Sequence, residues 1–318
     1  MVRIFRSLEE ARPLFGPSAL TIGNFDGVHA GHRRILRRAG ELARENGWKP
    51  SVLTFDPHPA TVVAPNRSPR LMTTPEQRCR FMEQEGIAQV LILPFTHEVA
   101  QLGPEQFVRD VLVEALGARA VLVGGNFRFG YKQGGDTHLL QDLAAELGFV
   151  VEVIPAITVR RAVVSSSEIR RLVESGDVSR ACRFLERPFA LEGDVVRGHG
   201  VGAKQTVPTL NLSTRTQVLP ANGVYITRTR DLNSETSWQS VTNIGYRPTF
   251  GGTDLAIETF LLAHLEGDAP RQIRVEFLRR LRDEKKFDNP EQLKAQIFRD
   301  VRRSQAYFRR VPCHNQKT

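Results

Sequence analysis

Residues 21–32 read TIGNFDGVHAGH. An apolar strand ends in a glycine-bearing turn, and the chain runs on into a basic helical segment, GHRRILRRAGELAREN (31–46). In that segment Ile35, Leu36, Ala39, Leu42 and Ala43 fall on one helical stripe. A helix that opens from such a turn offers free backbone N–H groups and positive dipole character, and together these attract phosphate. His29 and His32 are separated by two residues, with Gly31 directly before His32. Two imidazoles there can donate hydrogen bonds to phosphate oxygens as charge builds on them. The plainer alternative is a pair of surface histidines on a loop. The glycines, placed where backbone must approach a ligand, argue against it. The absence of an evident third ligand argues against hydrolysis at a metal centre.

Outward from this turn the chain alternates. SALTIGNF (18–25), SVLTF (51–55), QVLILPF (89–95), AVLVGGNF (120–127) and VVEVIP (150–155) are short apolar strand candidates. Helical patterns lie between them, such as PEQFVRDVLVEALG (104–117), with Phe107, Val111 and Ala115 one turn apart, and THLLQDLAAELG (137–148). Continuous apolar strands separated by helices predict a parallel sheet covered on both faces, with ligands beyond the carboxyl ends of its strands. After about Pro188 the pattern changes. ALEGDVVRG, TLNLST, GVYITRTR, SVTNIGY, AIETFLLA and QIRVEFL follow at close spacing, broken by Gly, Pro and Asn. That predicts an all-β barrel or sandwich. A terminal helix is expected to start at the N-cap Asn289 and to bury Leu293, Ile297 and Val301. The helical stretch SEIRRLVESGDVSRACRFL (167–185) bridges the two parts, so the expected domains are 1–187 and 188–318.

With 318 residues, 41% hydrophobic and 25% charged, the chain has the composition of a globular protein of about two domains. No apolar run reaches the roughly 18 residues of a membrane span. Glu9 and Glu10 stand where a signal peptide would be apolar, which argues against secretion. Cys79, Cys182 and Cys313 are odd in number and far apart, so they fit a reducing cytosol better than a disulfide framework. Lys plus Arg is 44 against 35 for Asp plus Glu, a net charge of +9. That balance suits nucleic acid, anionic lipid or small anionic substrates. The dense basic stretches, GHRRILRRAG and RRSQAYFRR (302–310), also read as solvated helix faces, and no aromatic cluster is laced with basic residues. A nucleic-acid-binding protein is the rival from another class, and it would show steeply salt-dependent affinity.

GNFDGVHAGHRRIL (23–36), TFDPHP (54–59), GGNFRFGYKQGGD (124–136) and VSSSEIRRLV (164–173), in this order and spacing, resemble the bacterial bifunctional riboflavin kinase/FAD synthetase family. The resemblance covers nearly the whole chain. It implies a Rossmann-like nucleotidylyltransferase domain that joins FMN to the AMP part of ATP and releases pyrophosphate. By the same resemblance His29 and His32 hold the ATP phosphates, while Gly23, Phe25 and Gly31 shape the cradle. Ser165, Ser166, Ser167 and Arg170 then bring hydroxyls, N–H groups and a guanidinium to the triphosphate; a plain helix N-cap is the bland reading of the serines. TFDPHP and NFRFG belong to the flavin side. Pro57 and Pro59 fix a rigid loop, Asn126 needs a polar partner, and Phe127 and Phe129 either pack an isoalloxazine ring or belong to the core. The family commonly has Arg where this chain has Gln133, next to Lys132.

GDVVRGHGVGAKQTVPTLNL (193–212) resembles the kinase entry motif of the same family, a Greek-key barrel. No Ser or Thr follows Lys204, and a strand follows in place of a helix, so neither a P-loop nor a dinucleotide turn fits. The resemblance implies that Gly198 and Gly202 form a loop over ATP. Thr209 and Asn211, two apart on a strand, point to one face and suit Mg²⁺ with ATP phosphates. NIGYRPTF (243–250) also matches, with Asn243, Gly245 and Pro248. Glu258 lies in an otherwise apolar strand, which is costly for a carboxylate without a task. The resemblance makes it the base that takes the ribityl 5′-hydroxyl proton; a solvent-facing Glu on a barrel edge is the alternative. Ala203, Thr206, Val207 and Phe260 depart from the family pattern, and Arg197 or Lys204 is left to supply loop charge.

The expectation is therefore a cytosolic transferase that makes FMN from riboflavin and FAD from FMN, using ATP and Mg²⁺. Small molecules are its partners, with no nucleic acid and no membrane, and the oligomeric state is left open. The alternative is an FMN adenylyltransferase whose second domain binds flavin without kinase activity.

Overall fold

Every residue of Ser18–Ile22 is buried, and Leu53, Leu91 and Val121 on neighbouring strands are fully enclosed. Strands this apolar on both faces are stable only inside a covered parallel sheet. The computed structural model describes residues 1–196, 209–249, 252–265, 267–285 and 287–311, and they form two units, Met1–Ser166 and Ser167–Thr318.

In the first unit β1 (Arg3–Phe5), α1 (Leu8–Ala11), β2 (Ser18–Ile22), α2 (Ala30–Asn46), β3 (Lys49–Asp56), α3 (Pro59–Val63), α4 (Pro75–Gln84) and β4 (Gln89–Pro94) come first. Then follow α5 (His97–Gln101), α6 (Pro104–Gln106), β5 (Ala118–Gly124), α7 (Thr137–Leu147), β6 (Val150–Ile154) and a hairpin of β7 (Thr158–Val159) and β8 (Ala162–Val163). The expected helix at 104–117 is present, but over Phe107–Ala115 its turns widen to π-helical pairing. Phe107, Val111 and Ala115 are buried as the spacing predicts. The sheet order is β1-β4-β3-β2-β5-β6, and every pairing is parallel. From the β2/β5 pair the chain runs outward through β3 and β4 on one side and through β6 on the other, with β1 added at the edge beside β4. That pair is the switch point, where the diverging connections leave a crevice beyond the strand ends. The turn after β2 therefore lies between the TFDPHP loop after β3 and the GGNFRFG loop after β5.

α8 (Ser166–Glu174) starts on the last residue of the first unit; with α9 (Val178–Leu185) it precedes β9 (Phe189–Val196), β10 (Thr209–Thr214), β11 (Gly223–Asp231), β12 (Ser237–Thr249), β13 (Gly252–Leu261), β14 (Gln272–Arg282) and α10 (Pro290–Arg310) of the second. The six strands close into a barrel in the order β10-β13-β12-β11-β14-β9. The compact units divide at Ser166/Ser167, and α9 packs on β9 and β14. Asn289 caps α10 as predicted. The predicted buried stripe on α10 needs correction. Leu293 is 41% exposed, Ile297 and Val301 are half-buried, and Asp300, Ser304 and Phe308 face inward. The helix is turned by an ion pair, since Asp300 accepts from Arg282 at 2.9 Å. Among the described residues no helix is long and apolar enough to cross a membrane.

The barrel interior carries a row of buried hydroxyls. Thr229, Ser240, Thr227, Thr242 and Thr259 link in sequence at 2.8–3.0 Å. A buried polar group is tolerable when hydrogen-bonded, and this row satisfies itself. Thr227 is its centre, bonded to both Ser240 and Thr242. Thr227→Val removes both bonds at constant shape. It should lower the unfolding free energy of the barrel by about 1–3 kcal/mol, read by chemical denaturation.

Candidate functional site

The turn after β2 is strained. Phe25, Gly27 and Val28 have φ of +50°, +80° and +35°. A left-handed conformation costs a non-glycine residue of order 1–3 kcal/mol, and a β-branched valine rarely adopts it. The surroundings hold it in place. The buried Asp26 carboxylate accepts from the Met72 and Thr73 N–H groups, both at 3.0 Å, and from the Thr73 hydroxyl at 2.8 Å. The Gly27 N–H donates to that same hydroxyl oxygen at 3.0 Å, and Ser166 Oγ donates to the Asp26 carbonyl at 2.9 Å. Phe25 is buried, and its ring lies 3.3 Å from where a Cβ on Gly23 would sit.

This turn delivers His29 to the N-cap of α2, where its Nδ1 accepts the His32 N–H at 3.3 Å. A neutral imidazole has one acceptor nitrogen, so the proton of His29 resides on Nε2, and that nitrogen is a donor. The His29 and His32 rings stack with centroids 3.6 Å apart and planes at 16°, and Phe25 meets His32 edge-on at 5.1 Å. A Cβ on Gly31 would lie 3.1 Å from the His29 ring, so glycine keeps that ring seated. The structure thus brings His29, His32, Gly23, Phe25 and Gly31 together at the switch point. Of the dense basic stretch, Arg33 and Arg37 pair with Glu85 and Arg38 with Glu152.

The neighbouring loops take the flavin-side residues. Pro57 is exposed and Pro59 opens α3, which His58 caps by accepting the Ala60 N–H at 3.2 Å. β5 ends at Gly124, so Asn126 sits in the following turn, exposed. Phe127 and Phe129 do share a face, though not on a strand: their rings stack at 5.4 Å. Phe129 is buried in the core beside Phe107, over Gly135, whereas Phe127 is half-buried. Lys132 and Gln133 are exposed in left-handed conformations, with Lys132 Nζ 5.1 Å from the Tyr131 ring. Ser165 and Ser166 are half-buried and Ser167 exposed, at the start of α8, and Arg170 stands one turn further along that helix.

In the barrel, register assembles a second group. Asn211 on β10 lies opposite Glu258 on β13, and Glu258 lies opposite Asn243 on β12. Thr209 lies opposite Phe260 in the same ladder. Directly opposed residues share a face with Cβ atoms about 4.5–5.5 Å apart. The hydroxyl of Thr209, two amides and one carboxylate therefore converge on the face away from buried Thr259. Glu258 is half-buried. Oxygen donors of this kind suit a hard divalent cation that takes its remaining ligands from phosphate and water. Among the described residues no group of three His, Cys, Asp or Glu could hold a metal. Arg197, Gly198, Gly202, Ala203, Lys204, Thr206 and Val207 lie outside the described residues.

The clamp on the phosphate turn, Asp26 with Thr73, was not singled out from the sequence. Its one signal was an acidic residue within a turn meant for anions. The cap role of His29 has its own test. His29→Ala should cost about 1 kcal/mol of stability, whereas His29→Asn, which can still cap, should stay within about 0.5 kcal/mol of the parent in thermal unfolding.

A family model described as FAD synthetase matches residues 13–168, and one described as riboflavin kinase matches residues 185–308. The bifunctional riboflavin kinase/FMN adenylyltransferase of Pseudomonas fluorescens is 34% identical over 306 residues, 96% of this chain and 97% of that one. The protein of the same description from Escherichia coli K12 is 34% identical over 91% of this chain and 92% of its own, and that from Haemophilus influenzae 30% identical over 96% and 99%. A solved structure from Streptococcus pneumoniae, described as a macrolide-efflux protein, shares the fold with a TM-score of 0.84 at 24% identity, covering 96% of this chain and 98% of that chain. Two domain matches in series and relatives alike along nearly their whole length place the chain in the bifunctional riboflavin kinase/FMN adenylyltransferase family.

Proposed function

We propose that the barrel unit transfers the γ-phosphoryl group of ATP to riboflavin, giving FMN and ADP. The α/β unit then transfers AMP from a second ATP to FMN, giving FAD and pyrophosphate. The observation that carries the adenylyl-transfer reading is the cap on α2: His29 Nδ1 accepts the His32 N–H, which makes Nε2 the donor nitrogen of the ring at the switch point of the sheet.

Adenylyl transfer needs no protein nucleophile. A phosphate oxygen of FMN attacks the α-phosphorus, its new P–O bond forms, and the bond to the β-phosphate oxygen breaks. The protein has to align two anions and stabilise the charge that moves onto pyrophosphate. His29 Nε2–H, the His32 ring and the N-terminus of α2 meet that charge. The serine run and Arg170 serve the triphosphate, as the motif implies. The proline loop, Asn126 and the Phe127/Phe129 stack receive the flavin, with the half-buried Phe127 the more accessible member of the pair.

In the barrel, Glu258 takes the proton of the ribityl 5′-hydroxyl as its oxygen attacks the γ-phosphorus and ADP leaves. Thr209 and Asn211 would hold Mg²⁺ in the barrel, and a divalent cation would offset phosphate charge in both reactions. The anionic substrates account for the excess positive charge without nucleic acid, and the free thiols of Cys79 and Cys182 suit the cytosol.

Separate sites predict a double dissociation. Glu258→Ala should abolish FMN formation from riboflavin while leaving FMN-to-FAD conversion intact. His29→Ala, fed riboflavin and ATP, should accumulate FMN and make little FAD. Chromatographic product analysis decides, and equal loss of both activities in either variant would contradict the assignment. Chelation with EDTA should stop both reactions, and added Mg²⁺ should restore them.

A further inference from the structure

Arg78 on α4 is 2% exposed. Its Nη1 donates to the Asn24 carbonyl at 2.7 Å and to Thr54 Oγ1 at 3.2 Å. Its Nε and Nη2 find no hydrogen-bond partner among the described residues. Desolvation by burial disfavours the charged guanidinium, and Asp26 and Asp56 oppose that effect. A buried cation with two unused donors is a poor device for stability, because a well-packed apolar residue of similar length is often neutral or better. What the guanidinium does reach is the Asn24 carbonyl and the Thr54 hydroxyl.

The role of Arg78 follows from what Asn24 does. Its carbonyl is held by Arg78 within the phosphate turn, between Gly23 and the strained Phe25. Its side-chain amide meets His58 Nε2 at 2.9 Å. The atom of Asn24 that makes this contact is Nδ2, and His58 Nδ1 faces the Ala60 N–H at 3.2 Å, so the His58 ring is held through both of its nitrogens. Asn24 is therefore bonded at its backbone to a buried cation and at its side chain to the TFDPHP loop. Residues 23–29 and 54–59 are the two loops that the adenylyl-transfer reading assigns to ATP phosphates and flavin.

We propose that Arg78 is a positioning residue for adenylyl transfer: through Asn24 it fixes the distance between the phosphate turn and the flavin-side loop. The inference rests on the reading above. Arg78 does not touch substrate. It sets where the FMN phosphate stands relative to the α-phosphorus, and small misplacements at that point cost rate steeply.

The test uses the full chain, with kcat and KM measured for FMN adenylylation and riboflavin phosphorylation followed in the same samples. Arg78→Met loses the donor to Asn24, so it should melt below the parent yet stay folded at the assay temperature, and lose about tenfold or more in adenylylation kcat per folded molecule. KM for ATP and FMN should stay within about threefold, and kinase activity should be unchanged. Arg78→Lys keeps the charge and one donor to Asn24, so its kcat should return to within about threefold of the parent. His58→Phe breaks the far end of the link and should reproduce the kcat loss of Arg78→Met. Parent-like kcat in Arg78→Met overturns the proposal. So does activity lost only in proportion to a fall in folded protein. Should Arg78→Met not fold, the other two variants decide: a folded Arg78→Lys that is tenfold slower, or a His58→Phe at full kcat, overturns it. If the parent chain makes no FAD from FMN and ATP, the underlying functional reading fails instead.

Discussion

A strained turn held by a buried carboxylate organises the first unit. Phe25 and Val28 sit in left-handed conformations that cost energy, and the compensation comes from the segment before α4. Asp26 takes donors from Met72 and Thr73, and Ser166 closes over its carbonyl. With the turn so fixed, His29 has no freedom in where it caps α2, and the cap in turn leaves its proton on Nε2. Strain, clamp, cap and tautomer form one chain of cause. Each link is ordinary chemistry, and the ordering is what builds an anion site at the switch point.

The barrel reaches its site differently. Strand register puts Glu258 between Asn211 and Asn243. The inner face is held by apolar packing and the hydroxyl row, while the outer face is left for polar function. The two units thus use different means to position charge: a distorted loop at a helix terminus in one, a regular ladder in the other.

Much of this was legible in the sequence. Apolar runs such as SALTI and QVLIL announced a parallel sheet, because strands buried on both faces have no polar alternation to show. The change to closely spaced short strands announced the barrel. His29 and His32 were legible because helix termini and phosphates obey local rules. What failed or was missed depends on long-range partners. Leu293 fits a helical stripe but is exposed, since Asp300 reaches Arg282 and turns α10. Phe127 and Phe129 look alike in sequence; only the packing of Phe107 and Gly135 around Phe129 separates them. Thr73 and Arg78 carry no local motif, and their importance comes from a turn some 50 residues earlier, at Asn24 and Asp26.

The protonation state of one ring tests the account most directly. Two-bond ¹H–¹⁵N correlation spectra of histidine-labelled protein, with His29 assigned by its loss in His29→Asn, report which ring nitrogen carries the proton. The account predicts a neutral His29 protonated at Nε2, with that nitrogen shifting when a non-cleavable ATP analogue binds. A proton on Nδ1, or a ring that ignores the nucleotide, would contradict it.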